Sequence, residues 1–165
     1  VKIPTNLSKN QFRLNNLYSL DNGGVICDIH GKNEGSIAMS INEKGDVVWS
    51  KMVRPQIICS GFVNGTYSTI VGNEMKLIFN MHPSALSGSK LNTEKPMVVT
   101  FKSKPMIATI NLEDGSTKYK FMDSKSGSVD GAICYTLSKK LAPGKFMLRM
   151  KYNGMVQNVP VTFEQ

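Results

Sequence analysis

The chain has 165 residues, a length that suits one domain, with 41% apolar and 19% charged residues. That is enough apolar material for a core, and it excludes a disordered tail. The net charge is +8, yet no nucleic-acid partner is expected, because Lys102/Lys104, Lys118/Lys120 and Lys139/Lys140 are its densest basic groups and hold two residues each.

Strand signals dominate from the start. Leu17–Leu20, Gly24–His30, Gly35–Asn42 and Asp46–Val53 are short and rich in β-branched or apolar residues. Asp21-Asn22-Gly23-Gly24, Gly31-Lys32-Asn33-Glu34 and Glu43-Lys44-Gly45-Asp46 separate them as turns. The spacing predicts an antiparallel meander. A second set covers Tyr67–Val71, Glu74–Met81, Met97–Phe101, Met106–Leu112 and Thr117–Met122. Between its members lies His82–Pro96, which is polar, Gly/Ser-bearing and bounded by prolines. It reads as a long surface loop, and such loops are common contact surfaces. A third set covers Ala132–Leu137, Lys145–Tyr152 and Met155–Phe163. Asn153-Gly154 between the last two is a strong hairpin signal. Phe146, Leu148 and Met150 alternate there with Met147, Arg149 and Lys151, so one set faces inward. Pro160 makes its end of the last strand an edge or a bulge. No stretch predicts a helix beyond a single turn at Ser138–Leu141.

Two of these hairpins match each other. Aligned with one gap in each, Ile37/Ile107, Ala38/Ala108, Ile41/Ile110, Asn42/Asn111, Gly45/Gly115, Trp49/Tyr119 and Met52/Met122 correspond. Both read as strand, acidic Gly-containing turn, then strand with an aromatic at a fixed offset. Hairpins that each expose an apolar face must stack to bury it.

Leu20-Asp21-Asn22-Gly23-Gly24-Val25-Ile26 followed by Ile37–Lys51 resembles one blade of the secreted bacterial β-propeller repeat proteins, with their D-x-x-G-x-V-x-W hairpins. The stretch 64–122 is similar to a later blade. The resemblance implies an all-β fold of antiparallel four-stranded meanders, either β-propeller-like with about three blades or an open β-sandwich. Within a single all-β region over 1–165, it divides the chain into a first blade-like unit (16–53), a second (67–123) that holds the loop 82–96, and terminal strands with a hairpin (131–164). A closed ring needs more blades than this. The chain also opens on Val-Lys-Ile-Pro without an initiator Met. It is therefore expected to be a processed chain or a piece of something longer.

The chemical candidates are few. Cys27, Cys59 and Cys134 stand in apolar surroundings with no C-x-x-C spacing, which fits three buried small hydrophobes. One disulfide with a free thiol is the alternative. The methionines lie mostly at strand positions and read as core filling. Asp28-x-His30 shares one strand face, but two histidines in all make no three-histidine metal site. Asn6-Leu7-Ser8 and Asn64-Gly65-Thr66 match the glycosylation pattern and read as turn residues. A sialidase-type propeller grips a carboxylate with three arginines, and this chain has Arg13, Arg54 and Arg149. Ser40…Asn42…Gly45…Trp49 departs from the S-x-D-x-G-x-x-W spacing of that class.

The expectation is therefore a non-enzymatic binding or structural module without a cofactor. The resemblance places it in a secreted, periplasmic or surface protein. Its partner is expected to be a protein or a glycan, or other parts of a larger assembly, met through rim loops. His82, Ser84, Ser87, Lys90 and Asn92 are the candidate contact residues. A sialidase-type fragment and a capsid-like or appendage module are the alternatives. No stretch reaches the roughly 18 apolar residues of a membrane-spanning helix.

Overall fold

A computed structural model describes residues 12–31, 35–54, 57–58, 65–87, 90–92, 97–99, 103–124, 127–128, 131–152 and 154–164. The fold is all-β, with two 3₁₀ turns at Pro83–Ala85 and Tyr135–Leu137 and no α-helix among the described residues. β1 (Phe12–Ser19), β2 (Val25–Gly31), β3 (Gly35–Ile41) and β4 (Val47–Arg54) form a first antiparallel sheet in chain order. β5 (Ile57–Ile58) follows, then the hairpin of β6 (Tyr67–Val71) and β7 (Glu74–Met81). β8 (Leu86–Ser87) pairs with β9 (Lys90–Leu91), and β10 (Met97–Val98) runs parallel to β5. β11 (Lys104–Asn111) returns along β7, and β12 (Thr117–Phe121) along β11. This second sheet has the order β12-β11-β7-β6. After a small pair of β13 (Asp123–Ser124) and β14 (Gly127–Ser128), the third sheet forms. β15 (Ala132–Ile133) and β16 (Lys139–Ala142) lie along one edge of β17 (Lys145–Tyr152), and β18 (Met155–Thr162) along the other.

The two matching hairpins close on an Asn and a Gly in each case, the second with one more residue in its loop. The Asn42 carbonyl accepts from the Gly45 N–H at 3.0 Å, and the Asn111 carbonyl from the Gly115 N–H at 2.9 Å. The Asn42 side-chain oxygen accepts from the Lys44 N–H at 3.0 Å, and that of Asn111 from the Glu113 N–H at 2.8 Å. Such Asx turns are why Asn starts the turn. Gly45 and Gly115 both hold positive φ, +87° and +69°, which side chains resist.

The sheets stack. Ile26, Ala38, Trp49 and Val53 of the first sheet pack on Met75, Leu77, Phe79 and Met81 of β7 and on Met106, Ala108 and Ile110 of β11. Ile78, on the opposite face of β7, packs on Ile133, Phe146, Leu148 and Met150 of the third sheet. The period of two along β7 therefore serves two cores at once. The aromatics of the matching hairpins lock the first interface from both sides. The Trp49 Nε1–H donates to the Leu112 carbonyl at 2.9 Å, and the Tyr119 hydroxyl donates to the Val53 carbonyl at 3.0 Å. Asn80 locks the second: its amide donates to the Ile133 carbonyl at 2.9 Å and its oxygen accepts from the Ile133 N–H at 2.8 Å.

Three expectations need correction. The first strand starts at Phe12 rather than Leu17, because long-range pairing with β2 outweighs a polar, poorly alternating sequence. Ser138–Leu141 belongs mostly to strand β16, and the turn lies earlier, at Tyr135–Leu137, where a predicted strand was to continue. The loop after His82 is structured: a 3₁₀ turn and the β8–β9 pair drive Ala85 and Leu91 into the core between the first two sheets. Cys27 and Cys134 are buried and free. Cys59, Lys102, Asn6-Leu7-Ser8 and Asn64 lie outside the described residues.

Candidate functional site

Among the described residues a concentration of polar groups, several of them buried, runs between the three sheets. It begins with a β-bulge. Between Leu14 and Asn16 the β1–β2 register slips by one residue, so Asn15 and Asn16 both face Asp28. Asp28 is fully buried. Its Oδ2 accepts from Asn15 Nδ2 at 2.7 Å, Asn16 Nδ2 at 3.2 Å and the Ser68 hydroxyl at 2.6 Å. Ser68 has one proton and gives it to Asp28, so its oxygen accepts from Asn16 Nδ2 at 2.8 Å and from the Tyr18 hydroxyl at 2.9 Å. Lys140 arrives from the third sheet and donates to the Ser68 carbonyl at 3.1 Å, with its ammonium 5.7 Å from the Tyr18 ring centre. Burial pushes the Tyr18 hydroxyl up to about 12, with the Ser68 hydrogen bond opposing and Asp28 adding. Burial also lowers the Lys140 ammonium, against the pull of Asp28.

A second bulge, between Ser36 and Ile37, turns the end of β4 and carries Arg54 inward. Arg54 has no solvent exposure. Its guanidinium donates to His30 Nδ1 at 2.9 Å and to the Gly65 carbonyl at 3.3 Å. A guanidinium is always a donor, so His30 Nδ1 accepts and the ring is neutral. Burial, reinforced by Arg54 and opposed by a Gly35 backbone hydrogen bond, pushes His30 down to about 4. Ser36 stands 3.2 Å from the same nitrogen and 3.0 Å from the Thr66 hydroxyl. Tyr135 of the third sheet packs against Gly65, where a Cβ would lie 2.4 Å from the ring. The Tyr135 hydroxyl donates to the Ile78 carbonyl at 3.0 Å, and burial raises its pKa, with Arg54 opposing.

Asp28-x-His30 thus shares the inner face of β2, and each side chain is engaged by protein partners. Among the described residues no three His, Cys, Asp or Glu side chains converge as metal ligands. The three arginines do not share one face: Arg13 and Arg54 lie in one cross-strand row of the first sheet, on either side of His30 and Ser36, and Arg149 lies on the third sheet. Arg13 is exposed on β1, opposite His30 in the register. Arg54 is buried. Arg149 is exposed on β17, on the face opposite the buried Leu148 and Met150. Of the loop candidates, His82 is half-buried and its Nδ1 lies 2.7 Å from the Ser84 hydroxyl, capping the 3₁₀ turn. Ser84, Lys90 and Asn92 are exposed, and Ser87 lies in β8. Sequence reasoning missed Asn15, Asn16, Ser68 and the burial of Arg54. The one signal was the Asn-Asn step that breaks alternation in Leu14–Leu17.

The two outer faces of the stack differ. On the first sheet the outward rows are Leu14–Ile29–Ile37–Met52, Leu17–Cys27–Met39–Ser50 and Ser19–Val25–Ile41–Val47. None carries a charge, and Leu14 and Leu17 are 58% and 56% exposed. The outward face of the third sheet carries Lys139, Lys145, Arg149 and Lys151, all exposed. A depression of about 460 Å³ separates the β6–β7 turn from the end of β18 and is lined by Asn73, Glu74, Lys76 and Phe163 among others. No protein-family model matches this chain, and no curated protein and no solved structure matches it.

Proposed function

We propose that the chain is a non-enzymatic binding or structural module of an exported or surface protein, with propeller-like stacked sheets. One observation carries the reading: its concentrated polar groups are spent on holding the sheets together. Asp28 and Arg54, the two groups best suited to chemistry, are both fully buried, Asp28 hydrogen-bonded to Ser68 of the second sheet and Arg54 to Gly65 in the segment that leads into it. A reacting group must meet its substrate. The place of Arg149 on the outer face of the third sheet, away from the buried Arg54, speaks against a three-arginine carboxylate grip, and the apolar outer face of the first sheet favours contact with a protein over a glycan. The test is turnover of a fluorogenic sialoside and a panel of other aryl glycosides by the purified chain. The reading expects no release above buffer. Release above buffer by the purified chain would overturn it.

A further inference from the structure

We propose that the uncharged outer face of the first sheet is the contact between two copies of this chain, packed face to face about a twofold axis. The proposal rests on reading the chain as a binding module, and it names the partner.

The stack has one finished end and one unfinished end. Stacked units need a polar outer face on each terminal unit to stay soluble. The third sheet supplies it with Lys139, Lys145 and Arg149. The first sheet does not: its outward rows are apolar except for Ser19 and Ser50. Among the described residues no element covers them, and Leu14 and Leu17 keep more than half of their surface in water.

Charge selects the occupant. Head-to-tail stacking would press the lysines of one copy onto the apolar rows of the next, and burying unpaired charge is costly. Face-to-face stacking buries no charge, and it leaves a cationic face at each outer end. Sheets pack about 10 Å apart, so six stacked sheets hold those faces about 50 Å apart. That is several Debye lengths at physiological salt, and the repulsion between two chains of +8 is screened. A twofold pair also closes, whereas head-to-tail growth does not.

Area sets the strength. Four strands about 4.8 Å apart, with seven residues of about 3.3 Å each, cover about 440 Å² per copy. The pair buries roughly twice that, below the roughly 1,200 Å² of a standard interface. A weak, reversible dimer is expected.

The test is sedimentation equilibrium across a concentration series. The wild-type chain should weigh 18.2 kDa when dilute and approach twice that when concentrated. Leu14→Lys/Leu17→Lys places four ammonium groups in the symmetric contact and should weaken dimerisation by at least about 100-fold. Both positions are exposed, so the fold should survive, and an unchanged circular dichroism spectrum checks it. Arg149→Glu, on the opposite face, should leave the dimer unchanged. A wild-type chain that stays at 18.2 kDa throughout overturns the proposal, as does a dimer indifferent to the double substitution. Either result leaves the non-enzymatic reading standing, because that depends on the glycoside assay.

Discussion

Gly115 and Gly45 occupy the same place in two matching hairpins, and the structure predicts unequal consequences for replacing them. Gly45→Ala meets nothing within 4 Å, so its cost is the backbone alone at φ +87°. A side chain in that left-handed region costs about 1–2 kcal/mol. Gly115→Ala pays the same at φ +69°, and its Cβ would also lie 2.7 Å from Trp49 Cδ2 and 2.9 Å from Cε3. Ordinary carbon contact begins near 3.5 Å, so the indole must retreat by nearly 1 Å. Its Nε1–H bond to the Leu112 carbonyl is 2.9 Å long and does not survive that shift. Leaving a buried donor unsatisfied adds about 1–3 kcal/mol. Gly115→Ala should therefore cost about 2 kcal/mol more than Gly45→Ala, or about 4–8 °C in Tm. Trp49 is the only tryptophan in the chain, so its fluorescence during urea unfolding reads the contact directly. The Gly115→Ala protein should also show a shifted native emission maximum. Equal losses of stability, with an unchanged native spectrum, would refute the account of the interface between the first two sheets.

Three further outcomes are expected. Asn80→Ala removes both hydrogen bonds to Ile133 inside a buried interface, and should cost about 2–4 kcal/mol in urea unfolding. Asn80→Asp keeps an acceptor but loses the donor, and should still destabilise clearly. Ser68→Ala unlinks Asp28 from Tyr18 and leaves both with fewer partners, for a loss of about 1–3 kcal/mol at neutral pH. His30 is held near 4 against 6.5 in a free chain, so between those values the unfolded chain binds the extra proton. Its share of stability is complete above about pH 6.5 and drains away as pH falls toward 4. Half-burial limits that share to about 2 kcal/mol rather than the full shift. His30→Gln keeps an acceptor for Arg54 without a titration, and the difference between wild-type and variant urea midpoints should shrink as pH falls through that window. A constant difference would contradict the neutral, accepting ring.

Most of the secondary structure was legible because it is local. Asn42 and Asn111 open turns that Gly45 and Gly115 close, and Phe146, Leu148 and Met150 alternate with exposed neighbours as their period demands. Pro160 does lie on β18, which among the described residues pairs with β17 alone. The polar centre was not legible. Which residues meet Asp28 depends on a one-residue slip in β1 and on Ser68, 40 positions away. Arg54 reads as an ordinary strand-end cation, and only the bulge at Ser36/Ile37 turns it inward. The loop after His82 misled for a related reason. Ala85-Leu86 and Leu91 are short apolar islands in a polar run, and their burial follows from the sheets above and below them.

The claim that the first sheet's outer face is a contact surface is most directly checked by methionine oxidation read by mass spectrometry. Met39 and Met52 lie on that face, half-exposed, while Met155 is 70% exposed at the far end of the stack and serves as the internal reference. As the protein is concentrated, oxidation of Met39 and Met52 should fall relative to Met155, and Leu14→Lys/Leu17→Lys should restore it. A ratio that stays constant across the concentration series would contradict the account.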